Sequence, residues 1–304
     1  MNNYYSFSEE MLVCSGSVRL IQDCFFGKMS LIDKAHEKNR TCITYLTGSA
    51  YINSLLSGVF AGVICTPELS EEIENSFDGG ILVSEDPRTT FFEIYNSIQS
   101  KQELPDTFID ETAVVATDAK ISPKGVIIGA GSVIKSGAVI EKNVIIGKDC
   151  TIMENCIIGA PPFYYYGEGD HSERVQAGCG VVIGNRVCLH AGVVIQAGVF
   201  NPSFLDDNVK ISNGVHVSHD VRIGKNCILP AGVTMGGLSR LEDNCSLGVG
   251  VTLAPAVTVG HDAKLSAGAV VTKSVPPGER YSGNFAIEHA AYVAHIKNIS
   301  GNNR

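Results

Sequence analysis

From residue 109 onward an aliphatic side chain recurs every six positions. Ile109, Val115 and Ile121 begin the series, one residue slips, and Ile128 to Ile158 then follow as six unbroken hexads. The series resumes with Ile183, Leu189 and Ile195, and once more at Ile211, from which eleven consecutive matches run to Val271. The 23 hexads often carry glycine just after the aliphatic (Gly129, Gly147, Gly224) and a small residue four places on (Ser132, Ala138, Cys150, Cys156). Neither a helix of period 3.6 nor a strand of period two produces this spacing. The physical solution is a triangular coil with one short strand per side and about 18 residues per turn. Its aliphatics point inward and stack at about 4.8 Å along the axis. Three hexads per turn predict between seven and eight coils. Period six does not fix the hand of the coil.

Two segments interrupt the repeat, 160–180 with "APPFYYYGEGDHSERVQAGCG" and 197–208 with "AGVFNPSFLDDN". A rigid solenoid needs no such excursion for stability, so both are candidate functional loops. Before the repeat the pattern is α/β. "FAGVICT" and "GGILVSE" read as buried strands. Thr66-Pro67 and Asp86-Pro87 each open a helix, the second with an apolar face of Phe91, Ile94, Tyr95 and Ile98. The predicted organisation is a small α/β domain over 1–104, a β-helix over 105–276, and a closure with a short helix over 277–304. Leu104-Pro105-Asp106 reads as the linker, and "AIEHAAYVAHIKNI" as one helix capping the coil or packing between subunits.

Composition narrows the function classes. The chain of 304 residues is 44% hydrophobic and 18% charged, which describes a folded protein. Its formal charge of −9, without a Lys/Arg run, disfavours nucleic acid as a partner. No stretch of about 18 apolar residues predicts a membrane span, and the N-terminus lacks the order of a signal peptide. Ten cysteines without a CxxC pair fit reduced core thiols, hence a cytoplasmic chain.

"SNGVHVSHDVRIG" (212–224) contains His216 and His219. His219 stands two places after the inward Val217, so it faces outward on a rigid strand, where Asp220 can bias its surroundings. A histidine there suits a general base. One 18-residue coil on, Gly237 lies beneath His219. It either turns a corner with Gly236 or offers its N–H to an oxyanion. The histidines lack the spacing of a three-His zinc site, and no metal is expected.

With these stretches in view, the chain resembles UDP-3-O-acylglucosamine N-acyltransferase, the family that adds a hydroxyacyl chain to a nucleotide-linked amino sugar in lipid A biosynthesis. The resemblance runs over roughly residues 5 to 290 and implies a left-handed parallel β-helix and a homotrimer. "CITYLTGSAYINSLLSGVFAGVIC" looks like the segment that sandwiches uracil, with Tyr45 and Tyr51 as the two rings. "IIGAPPFYYY" looks like the loop over the acceptor, with Phe163. "FLDDNVKISNGVHVSHDVRIG" is similar to the catalytic stretch, with His219 as base and Asn213 and His216 as substrate contacts. Gly237 matches the oxyanion glycine, and "YSGNFA" (281–286) the closure. The implied donor is a phosphopantetheine thioester on acyl carrier protein or coenzyme A, with no permanently bound cofactor.

Departures from the family pattern are Gly48 for an asparagine, Ser212 for an acidic residue, Ala256 for a histidine, and a short tail with few basic residues, Lys297 and Arg304 among them. They leave open a coenzyme A-dependent enzyme for a deoxyamino sugar of a surface glycan. A silent binding or scaffold protein is the reading of another class.

Overall fold

A computed structural model describes residues 4–32, 41–283, 286 and 288–301. Three parallel sheets of eight, eight and nine short strands form the sides of one left-handed β-helix. The inward aliphatics pair in register one coil apart, as in Val217 with Met235 and Ile223 with Leu241. They form a single cluster running from Val126 to Val275. The slip after Ile121 is real: Ile121 pairs with Ile140, and Ile109 with Ile128, 19 residues on. Ile109 is 40% exposed because no coil precedes it.

Corners set the period. A chain that turns sharply every six residues needs the left-handed backbone region, which glycine and asparagine reach at least cost. Asn208, Asn226 and Asn244 all have φ near +60°. Their amides form a ladder, Asn208 donating to Asn226 at 2.9 Å and Asn226 to Asn244 at 3.0 Å.

Two features extend the coil beyond the sequence reading. The second interruption is shorter than expected, because Ser203–Leu205 is already a rung with Leu205 buried and paired to Ile183. Arg280–Tyr281 adds a last strand against Lys264–Leu265. Nor is 104–106 a free linker: Asp106 bridges Lys124, and Pro105 accepts the Gly125 N–H.

The first domain is a five-stranded sheet ordered Val18–Gln22, Gly80–Ser84, Gly62–Cys65, Cys42–Tyr45, Lys28–Met29, parallel except for its first strand. Both expected strands lie at its centre. Thr66 caps Pro67–Ile73 through the Leu69 N–H, and Asp86 caps Pro87–Ser100 through the Thr89 N–H. The second helix buries Phe91, Ile94, Tyr95 and Ile98 as expected, and Phe92 as well.

Helix Pro87–Ser100 also fastens the first domain to the coil. The insertion after Ala160 forms a hairpin, Tyr165–Tyr166 against Glu173–Arg174. Asn96 donates to the Arg174 carbonyl at 3.0 Å and accepts the Gln176 N–H at 2.9 Å. Tyr95 donates its hydroxyl to the Val199 carbonyl in the second insertion. Both excursions therefore serve as docking loops between the domains.

The C-terminal helix spans His289–Gly301, starting three residues later than expected. Its side chains at His289, Ala290, Ala291, Ala294 and Lys297 are exposed. Asn284 and Phe285 of the closure and Arg304 lie outside the described residues. Among the described residues no helix is long and apolar enough to cross a membrane.

Candidate active site

His219 follows the strand His216–Val217, where the coil turns toward Arg222–Ile223. Its side chain is 13% exposed and that of Asp220 is fully buried. Asp220 holds φ +58°, which turns the corner and swings its carboxylate back under the loop. Asp220 Oδ1 accepts the N–H groups of Phe200 at 2.9 Å and Asn201 at 2.7 Å, and Oδ2 accepts that of Val199 at 3.0 Å. Its Oδ2 also lies 2.9 Å from His219 Nδ1. A carboxylate can only accept, so the Nδ1 proton of a neutral His219 is held on Asp220 and the lone pair falls on Nε2.

Nε2 lies above the next coil. A Cβ on Gly237 would sit 2.6 Å from His219 Nε2 and 2.8 Å from Cε1. The backbone of Gly237 is outside the left-handed region, so its lack of a side chain serves space, not conformation. The imidazole fills that space. The Gly237 N–H donates to no carbonyl or side chain among the described residues. A base nitrogen thus stands over the side-chain position of a glycine, on the adjacent coil, whose N–H is available. A groove of about 570 Å³ continues from this corner past Asp220, Leu238 and Ala256.

Tyr164 closes the site from the first insertion, its ring edge-on to His219 at 5.3 Å between centroids. The contact continues into the first domain through Tyr164–Phe92 at 5.5 Å, Phe92–Phe91 at 5.2 Å and Phe91–Tyr45 at 5.0 Å. Tyr45 is thereby joined to the histidine by one aromatic seam within a single chain. Tyr51 stands 49% exposed on the turn Ser49–Tyr51 and makes no ring contact with Tyr45. Phe163 is 82% exposed and touches Tyr165; its neighbour Tyr164 is the ring at His219. His216 is half-buried on the face between two corners, in register with Val194 and Thr234, and desolvation lowers its pKa. Asn213 is exposed at the preceding corner, one face away from His219. Among the described residues no cluster of His, Cys, Asp or Glu could hold a metal ion.

Asp220 as acceptor of three loop N–H groups and Tyr164 as the covering ring escaped the sequence reading. Asp220 carried one signal, its position beside His219. Tyr164 carried none that set it apart from Phe163 and Tyr165.

Known proteins share this coil. The bacterial transferase hexapeptide repeat (six repeats) matches residues 202–237, and the hexapeptide repeat of succinyl-transferase matches 175–197 and 240–273. These matched segments lie within the coil. The chain is 58% identical over 103 residues to UDP-3-O-acylglucosamine N-acyltransferase of Caulobacter vibrioides, covering 34% of this chain and 30% of that one. It is 48% identical over 124 residues to the protein of the same name from a Bradyrhizobium species, covering 41% and 35%. The matches thus span about a third of the length of these relatives. UDP-N-acetylglucosamine acyltransferase from Campylobacter jejuni superposes with a TM-score of 0.48 at 25% identity, over 58% of this chain and 71% of that one. The relatives agree with the family resemblance read from the sequence.

Proposed function

We propose that this hexapeptide-repeat protein is an N-acyltransferase. It moves a (3-hydroxy)acyl group from a phosphopantetheine thioester to the amine of a nucleotide-linked amino sugar. The relatives named above support a UDP-linked acceptor of lipid A biosynthesis. The observation that carries the reading is the base at His219, its Nδ1 proton held by Asp220 and its Nε2 above the available N–H of Gly237.

The amine attacks the thioester carbonyl carbon, and His219 Nε2 takes the proton it sheds. The oxyanion accepts the Gly237 N–H. Collapse breaks the C–S bond, and the departing thiolate takes the proton back from the imidazolium. Amide and free thiol are the products, and His219 returns to its neutral form. Tyr45 and Tyr51 hold the pyrimidine base in this reading, with Phe163, His216 and Asn213 as further acceptor contacts. The working form is a cytoplasmic homotrimer.

Replacing His219 by Ala removes the base and leaves the coil intact. Turnover, read by mass spectrometry of the acylated nucleotide sugar, is expected to fall about 10²- to 10⁴-fold with unchanged far-UV circular dichroism. Near-normal turnover would sink the assignment. A donor panel of 3-hydroxyacyl carrier protein against short acyl-coenzyme A species separates the lipid A reading from a deoxyamino-sugar enzyme. Ala256, small and lining the groove beside the site, keeps the second reading in play.

A further inference from the structure

Arg88 is the second residue of helix Pro87–Ser100 and is half-buried at the seam between the domains. Its guanidinium stacks over Phe92 at 5.6 Å from the ring centroid and donates to the Tyr165 carbonyl at 2.7 Å. Burial raises the pKa of the Tyr164 phenol, and the neighbouring Arg88 charge opposes that rise. Arg88 pairs with no carboxylate among the described residues. A planar cation is thus held by a ring and a carbonyl, beside the ring that faces His219, with no paired carboxylate among the described residues.

Guanidinium groups held this way recognise phosphate, because the fork of N–H donors matches its oxygens and the charge is permanent. The chemistry of the acceptor places a phosphate near by. An amine on C2 of a sugar is separated from a phosphorus on the C1 oxygen by only two ring carbons and that oxygen. With the amine at Nε2, the first phosphate of a sugar nucleotide must lie within about one side chain of the imidazole. Tyr164 fills that interval and its phenol meets Arg88.

We propose that Arg88, with the Tyr164 hydroxyl beside it, binds the diphosphate of a sugar nucleotide and so fixes the amine over His219. This rests on the acceptor class proposed above. The site makes the acceptor subsite a joint product of the two domains of one chain. The base is held by the first domain, the phosphate at the seam, and the amine on the coil. It also assigns a purpose to the first insertion, which carries both the carbonyl that orients Arg88 and the ring that meets it.

The test uses the full chain and two readouts. Uridine diphosphate and uridine are titrated into wild type, Arg88→Gln and Arg88→Lys, and acyl transfer to UDP-glucosamine and UDP-3-O-acylglucosamine is measured on the same samples. Gln retains a donor for the Tyr165 carbonyl but no charge; Lys retains the charge. Arg88→Gln is expected to weaken uridine diphosphate binding tenfold or more and uridine binding less than twofold, with Arg88→Lys between. The KM for the nucleotide sugar rises in parallel, while the KM for the thioester is unchanged. Equal uridine diphosphate affinity in wild type and Arg88→Gln, or none in the wild type, overturns the inference. The same follows if uridine binding falls equally, which marks loss of packing. Loss of affinity without transfer in any protein sinks the acyltransferase reading and leaves the phosphate site standing. Transfer with an unmoved affinity does the reverse.

Discussion

At the scale of single residues, the site depends on one missing side chain. Gly237 stands where any Cβ would come within 2.6 Å of His219 Nε2. That contact is backbone-anchored on one side and held by Asp220 on the other, so His219 must tilt or the corner must shift. Gly237→Ala is expected to cost about 1–3 kcal/mol of stability, as overpacking does. The loss of turnover should be far larger than that cost implies, because Nε2 leaves the line of attack. Urea midpoints and single-turnover rates measured on the same variant check both halves. Retained turnover with a normal midpoint would mean the ring does not sit over this glycine in solution. His219 and Gly237 were visible in the sequence because 18 residues of coil bring them together. The three N–H groups at Asp220 were not. They come from a loop about 20 residues upstream whose path no local pattern encodes.

At the scale of elements, the coil is a set of strands two to four residues long, and its regularity resides at the corners. Asn226 occupies a corner at φ +58° and links Asn208 to Asn244. Replacing it with Ala removes both amide bonds and leaves a Cβ in the left-handed region without local compensation. The expected loss is about 1–2 kcal/mol, with Asn226→Gly recovering the backbone part. Chemical denaturation of the two variants reads the difference, and equal midpoints would contradict it. Periodicity exposed the rungs wherever six residues separate the aliphatics. It missed Leu205 because the docking loop inserts four residues between Ile195 and that rung, which shifts the phase without ending the stack. In the first domain two helices were legible from Thr66-Pro67 and Asp86-Pro87, whereas the short helices Phe7–Glu10 and Ile52–Ser57 were not. The strands Val18–Gln22 and Cys42–Tyr45 were not, because one alternates imperfectly and the other is short.

At the scale of the molecule, both domains bury thiols, and alkaline pH should weaken the fold. The coil holds Cys150, Cys156, Cys227 and Cys245 in its aliphatic stack, and the first domain and its seam hold Cys14, Cys24, Cys65 and Cys179. Desolvation pushes Cys14, Cys24, Cys65 and Cys179 each up to about 12. A buried thiol binds its proton more tightly in the folded chain than in the unfolded one. Its stabilising effect is complete below the unfolded pKa near 9 and is lost as pH rises toward the folded value. The first domain should therefore weaken between about pH 9 and 12, and the docking of helix Pro87–Ser100 with it. Cys65 isolates the effect, because burial alone moves its pKa. Wild type and Cys65→Ala should lose stability at different rates with pH, the variant more slowly by about 1 kcal/mol near pH 10.5 after allowance for solvent screening. Urea midpoints followed by far-UV circular dichroism from pH 7 to 11 give both curves. The removed side chain lowers the whole curve of the variant, so the slope decides, not the height. Parallel slopes would place the alkaline weakness elsewhere.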